Sequence, residues 1–294
     1  MENDNSELEA FKAQSKARSE AKAEEKESQV QASGLGIDDT YVKQVYSLAW
    51  RFFTNNKMAS FIAMGVLFVL YMFSMIPIFG LLIAIAAGIV MLSIQVYIAN
   101  LIEDSNSNEE FDQNVANISP SDLLIKYMSV GSGAFVGFIV FEILMGIVFF
   151  SLIGMSIGMD TLGAMSSGQM APEEQMMMYQ SLGTVGLFIG IIMMFIAYVY
   201  PLVLGRVLVS ESFSEAFRSI FLIFSPSLWG ASFNGRYFLM MLALHATGIL
   251  MVILLAISIM TLVLIPLAVF LGFIFMVYFT VTAVQSRKIV YDDV

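Results

Sequence analysis

The chain has no cysteine, a single histidine and only 13% charged residues in 294 positions. Without cysteine there is no disulfide framework, no thiolate nucleophile and no Cys-ligated zinc or cluster. One histidine and no HExxH pattern argue against a histidine-based metal centre, so neither a metal nor a cofactor is expected. Soluble domains carry about 25% charged residues. Half that share, beside 58% hydrophobic residues, places long stretches of the chain in the bilayer. The net charge of -10 leaves no cationic face for phosphate backbones, which excludes nucleic acid as a partner. GxSxG, phosphate-loop and paired-carboxylate patterns are missing too, so no enzymatic activity is expected.

What is present divides by composition. Residues 1–38 are polar, rich in Ala, Lys, Glu and Ser, and hold five of the fourteen Lys and Arg. They lack the apolar core of a signal peptide and read as a disordered or frayed-helical cytoplasmic tail; a partner-binding helix is the alternative. Residues 39–288 form a transmembrane domain, and 289–294 a short cytoplasmic tail. Each span needs about 20 apolar residues, and six are read, at about 58–76, 80–102, 131–157, 181–204, 237–260 and 264–285. The fold class is therefore an all-α integral membrane protein, six transmembrane helices arranged as three hairpins.

Charge orients them, because Lys and Arg are retained on the cytoplasmic side of a bacterial-type membrane. With the amino terminus inside, all fourteen cations fall in cytoplasmic segments and none in the three outer ones. A multi-pass protein of the bacterial inner membrane with both termini in the cytoplasm is expected.

Amphipathic segments precede the hairpins. Val42, Val45, Tyr46, Ala49, Trp50 and Phe53 share one helical face, and Phe213, Ala216, Phe217, Ile220, Phe221 and Phe224 repeat the same spacings. Both read as interfacial helices at the cytoplasmic surface, anchored by Trp50, Arg51 and Phe53 in the first and by Phe217, Arg218 and Phe224 in the second. Residues 119–129 form a weaker version, with Ser119 or Ser121 as cap and Pro120 in the first turn. The chain parses as three parallel units of interfacial helix plus hairpin.

The runs Tyr200-Pro201-Leu202-Val203-Leu204 and Ser212-Phe213-Ser214-Glu215-Ala216-Phe217-Arg218, with Phe224 and the closing stretch from Val277 to Arg287, resemble a group of prokaryotic six-helix membrane proteins. The group includes the membrane domain attached to some glycerophosphodiester phosphodiesterases and its stand-alone relatives. The resemblance covers about residues 40–288 and implies a six-helix fold in a bacterial inner membrane. It carries over neither the phosphodiesterase reaction nor a catalytic residue.

Ionisable groups at membrane depth are pointers to function, and two qualify. Glu142 lies mid-way in the third span and His245 in the fifth, roughly 15 to 18 Å and 12 Å deep at 1.5 Å per residue. If their helices are neighbours the two groups can pair, either to pin the helices or to pass protons or ions; otherwise they do not meet. Gln95 is expected to hydrogen-bond between helices. Gly131, Gly133, Gly137, Gly146, Gly154 and Gly158 are expected to let helices approach. The loop with Met155, Met159, Met165, Met170, Met176, Met177 and Met178 suits either soft Cu(I) capture or flexible apolar filling, the latter preferred because Met is plentiful throughout. The acidic run 103–112 lacks EF-hand spacing and reads as a solvated loop.

The expected function is that of a non-enzymatic scaffold or accessory subunit of a membrane assembly, with the lipid bilayer and a protein partner or second copy as its contacts. The alternative is a small-solute, proton or lipid transporter with a pathway near Glu142 and His245.

Overall fold

The computed structural model describes residues 40–157, 172–260 and 265–291, and all regular structure among them is helical. The chain runs through α1 (Thr40–Asn55), α2 (Lys57–Ser74), α3 (Gly80–Asp104), α4 (Asn108–Ala116), α5 (Pro120–Ile125) and α6 (Met128–Ile157). It continues with α7 (Pro172–Leu208), α8 (Phe213–Ser219), a 3-10 turn (Ile220–Phe224), α9 (Pro226–Ser232), α10 (Gly235–Met260) and α11 (Ile265–Tyr291). Six stretches are long and apolar enough to cross a membrane: Lys57–Ser74, Gly80–Asp104, Pro120–Ser156, Gly183–Leu208, Gly235–Ser258 and Pro266–Val290. These give the protein a multi-pass architecture. The polar tail at 1–38, most of the Met-rich loop and Gly158 lie outside the described residues.

Local chemistry starts several helices. Asn56 caps α2 by accepting from the Ala59 N–H at 2.9 Å, and its amide donates to the Val115 and Ile118 carbonyls, tying the start of α2 to the end of α4. Two S-x-x-E capping boxes start α4 and α8. Ser107 accepts from the Glu110 N–H at 3.1 Å while Glu110 accepts from the Asn106 N–H at 2.8 Å. Ser212 accepts from the Glu215 N–H at 3.3 Å while Glu215 accepts from the Glu211 N–H at 2.9 Å. Pro120 takes the first turn of α5 behind Ser119, whose hydroxyl bonds to the Ser121 hydroxyl and not to the helix backbone.

Helices α3, α6, α7 and α11 form a ring in which each packs on its neighbours, with α2 against α3 and α10 against α11. Burial is uneven along this ring. Leu92 to Ala99, Leu202 to Gly205 and Thr280 to Ser286 are buried without interruption, so these stretches are enclosed on all sides. The buried hydroxyls of Thr280, Thr282 and Ser286 donate to the carbonyl one turn back. The opposite halves are bare: Ile143, Leu144, Ile147, Val148 and Phe150 on α6 and Leu187, Phe188, Ile191 and Met194 on α7 are all exposed. One half of the bundle is thus a packed core and the other a set of diverging apolar helices.

The short helices wrap the packed half. Helix α1 lies antiparallel along α11: Tyr46 stacks on Tyr278 at 4.9 Å and, two turns along both helices, Phe53 meets Phe270 edge-on at 5.1 Å. Its apolar face is rotated from the expected one. Leu48 and Phe52 are buried with Val45, Ala49 and Phe53, whereas Tyr46 and Trp50 are exposed, because the stripe turned to protein lies one residue round from the aromatic stripe. The segment 213–224 is not one helix either. It changes to a 3-10 turn at Ile220, which lets Ala216, Ile220 and Ile223 all reach the core beside α6. The run 103–112, read as a solvated loop, is built into the same layer, since α4 buries Phe111 and Val115. The terminal residues Ile289 and Val290, read as a tail, are buried in the last turns of α11.

Ion pairs lock the layer at the end where the cations gather. Arg287 donates to Glu103 at 2.5 Å and Lys288 approaches the same carboxylate at 3.5 Å, joining the ends of α11 and α3. Arg51 donates to Asp112 at 2.7 Å, and Asn55 to its other oxygen at 2.6 Å. The glycines divide the same way as the burial. A Cβ at Gly205 would collide with the Ala283 carbonyl, one at Gly133 with the Phe213 backbone and one at Gly131 with Ser93. Gly146 and Gly154 face open space, so the expectation of close approach fails for them: they lie in the diverging half. Gly205→Leu is accordingly expected to lower stability by about 1–3 kcal/mol or more, because backbone cannot move aside. Gly146→Leu is expected to be neutral or to gain up to about 1 kcal/mol from helix propensity. Thermal unfolding of both variants in the same detergent separates the two cases.

Candidate functional site

Where the packed half gives way to the diverging half, the ring lines an open cavity of about 710 Å³. This is within the range of about 300–1,000 Å³ usual for small-molecule sites. All four helices of the ring line it: α3 with Gly88, Met91, Leu92 and Gln95, α6 with Phe135, Phe138, Phe141 and Glu142, α7 from Met193 to Leu204, and α11 from Gly272 to Phe279. The walls are mostly aromatic. Tyr200 sits between Phe138, 5.5 Å away, and Phe279, on which it stacks at 6.0 Å.

Glu142 and Gln95 are thereby brought to one cavity, a meeting that their positions in separate spans do not reveal. Gln95 is only 5% exposed, and its side-chain amide has no hydrogen-bond partner among the described residues. It does not form the interhelical bond expected of it among the described residues, and lines the cavity instead. Glu142 lines this space, is exposed, and makes neither a hydrogen bond nor an ion pair among the described residues. No Lys, Arg or His lines the cavity. The surroundings of Glu142 also differ from a bare span. The half of α6 that precedes it is sheathed by α8 and the 3-10 turn, with Phe141 packed on Phe224 at 5.8 Å, so the carboxyl lies where the sheath ends.

His245 lies elsewhere. It lines a separate apolar cavity of about 480 Å³ between α7, α10 and α11, and Tyr200, Phe275 and Phe279 belong to the walls of both. Its Nδ1 is 2.7 Å from the Met241 carbonyl, which can only accept, so Nδ1 donates the proton of this bond. No hydrogen bond joins it to Glu142, and the aromatic wall separates them. The pairing that equal depth allows does not form, because α6 packs on α3 and α7 while α10 packs on α11.

The residues expected as interfacial anchors have three different fates. Trp50 is exposed on the flank of α1, and Arg218 on α8. Arg51 is taken up by Asp112, and Phe53 is a core residue touching Phe61 and Phe270. Phe217 packs on Phe221 at 5.4 Å, and its backbone closes on Gly137. Phe224 is exposed and lines a cleft of about 370 Å³ between α6 and α7 with Phe195 and Trp229. That cleft shares Phe141 and Ile196 with the central cavity. Sequence reasoning missed Tyr200 as a site residue, along with the cluster of Tyr46, Thr247 and Tyr278, in which the Tyr46 and Thr247 hydroxyls bond at 2.5 Å. A tyrosine followed by proline within an apolar run is the only mark that Tyr200 carries. Among the described residues no group of His, Asp and Glu is placed to hold a metal ion.

Separate cavities lead to a measurable outcome. Glu142→Gln and His245→Ala are expected to add in thermodynamic stability within about 0.5 kcal/mol, as independent sites do. A double-mutant cycle in detergent that returned a coupling well above this would restore the pair. Comparison of the chain with protein-family models, with curated proteins and with solved structures gives no match.

Proposed function

We propose that the protein binds, and passes along the membrane, a small amphiphilic solute held in the central cavity, and that it does so without chemistry on that solute. The observation that supports this is the cavity itself, four apolar helices lining a space into which they bring an amide and a carboxyl that no other described residue hydrogen-bonds. An amide and a carboxyl without partners among the described residues add nothing to the stability of the fold. They are accounted for if a solute supplies the missing partners. In this reading the protein sits in a bacterial inner membrane with its cation-rich end and both termini in the cytoplasm, its spans arranged as three hairpins. The short helices then occupy the cytoplasmic border of the bilayer, in keeping with the resemblance to prokaryotic six-helix membrane proteins.

Gly272 provides the test, because it lines the cavity and a Cβ there meets nothing within 4 Å. Gly272→Phe should fill the space without disturbing a helix contact. A neutral diazirine-bearing monoacylglycerol, photoactivated with the full chain in nanodiscs, is expected to leave adducts on Phe138, Phe141 or Tyr200. Gly272→Phe should remove them while leaving the unfolding temperature unchanged or higher. Adducts confined to the outer apolar surface of the wild type would overturn the reading.

The sheath around the packed half favours a second reading, that of a scaffold or accessory subunit. Five short helices and a 3-10 turn, fixed by the Arg51–Asp112 and Arg287–Glu103 pairs, make a more elaborate platform than the linking of spans requires. Under this reading deletion of residues 1–38 should abolish cellular function, and affinity purification from native membranes should recover a stoichiometric partner that the deletion loses.

A further inference from the structure

We infer that the solute of the central cavity is a lipophilic organic monocation, a quaternary or protonated amine or its equivalent on an apolar body. This rests on the binding reading above and identifies the chemistry of its ligand. Glu142 lines the cavity, and no Lys, Arg or His shares the lining. A carboxylate in apolar surroundings is strongly disfavoured without a counter-charge. The bundle supplies none at this point, although at its cation-rich end Glu103 has both Arg287 and Lys288. An anion would meet Glu142 with like charge, and a neutral apolar solute would leave it unmatched.

The walls point the same way. The rings of Phe135, Phe138, Phe141, Tyr200, Phe275 and Phe279 line the same space, and aromatic faces attract cations most strongly where water is excluded. Gln95, buried and without a partner among the described residues, offers a carbonyl oxygen as a second acceptor from the neighbouring helix α3. A small hydrated cation does not suit the cavity. Sodium or calcium needs a shell of oxygen ligands, whereas the charged or amide oxygens here are those of Glu142 and Gln95 alone. A bulky apolar cation needs one counter-charge and a large aromatic surface, which is what the site holds. Its route is the cleft between α6 and α7, which shares Phe141 and Ile196 with the cavity and lies next to the bare half of the bundle.

Tetraphenylphosphonium and tetraphenylborate have nearly the same size and shape and opposite charge. Equilibrium dialysis of each against the purified full chain in nanodiscs of zwitterionic lipid tests the assignment. Saturable, stoichiometric binding of tetraphenylphosphonium is expected, with none of tetraphenylborate. Glu142→Gln should weaken the cation by about tenfold or more, as removal of the partner of a desolvated charge does. Glu142→Asp should recover part of the loss, and the unfolding temperatures of both variants should match the wild type. Equal affinity of the wild type and Glu142→Gln, equal binding of the two probes, or no saturable binding of the cation would each overturn the inference. If the neutral photoprobe still marks the cavity in a manner lost with Gly272→Phe, the binding reading stands and only the cationic ligand falls. If that labelling is absent as well, both fail.

Discussion

The close approach of α7 and α11 at Gly205 sets the geometry of the whole bundle. With no side chain at that position, the backbone of α7 lies directly on the Ala283 carbonyl. Straight helices that touch near one end and cross at the common angle of about 20° separate by roughly 9 Å over a further 25 Å. Contact in one half accordingly goes with exposed side chains in the other. The central cavity begins where that divergence starts, and Gly131, Gly133 and Gly137 repeat the arrangement on α6. Inside lipid there is no hydrophobic drive to close the gap, since the acyl chains are as apolar as the side chains they would leave.

The packed half follows the rules of a water-soluble core. Its stretches of α3, α7 and α11 are enclosed on all sides, its hydroxyls bond back to their own helices, and its charges are paired at the rim. The segments α1, α4, α5, α8 and α9 exist to cover it. Each has an apolar face too short to form a stable helix alone, and each becomes helical by laying that face on a neighbour. This accounts for the rotated face of α1. A helix that packs Val45, Leu48 and Phe52 on protein and leaves Tyr46 and Trp50 exposed beside them has two adjoining apolar stripes, and periodicity merges them into one.

The site draws on both halves. Gln95 and Tyr200 come from helices anchored in the packed core, which holds them in place, while Glu142 stands at the point where α6 emerges from its sheath. A rigid floor and an open flank suit the capture of a solute from the bilayer. His245, the other ionisable group in the spans, lies beyond the aromatic wall and bonds to its own helix.

The sequence by itself determined the number of spans, because uninterrupted apolar runs near the length of a bilayer have few alternatives. It also determined which segments carry the cations. Glu142, Gln95 and His245 were legible as polar groups in apolar surroundings. Which of them meet was decided only by tertiary structure. Spans that are apolar on every face carry almost no rotational signal, so the order of the helices around the ring is left to close contacts such as Gly205 against Ala283 and Gly133 against Phe213. That order brings Gln95 to Glu142 and sets Tyr200 between Glu142 and His245, since α6 and α10 pack on different members of the ring.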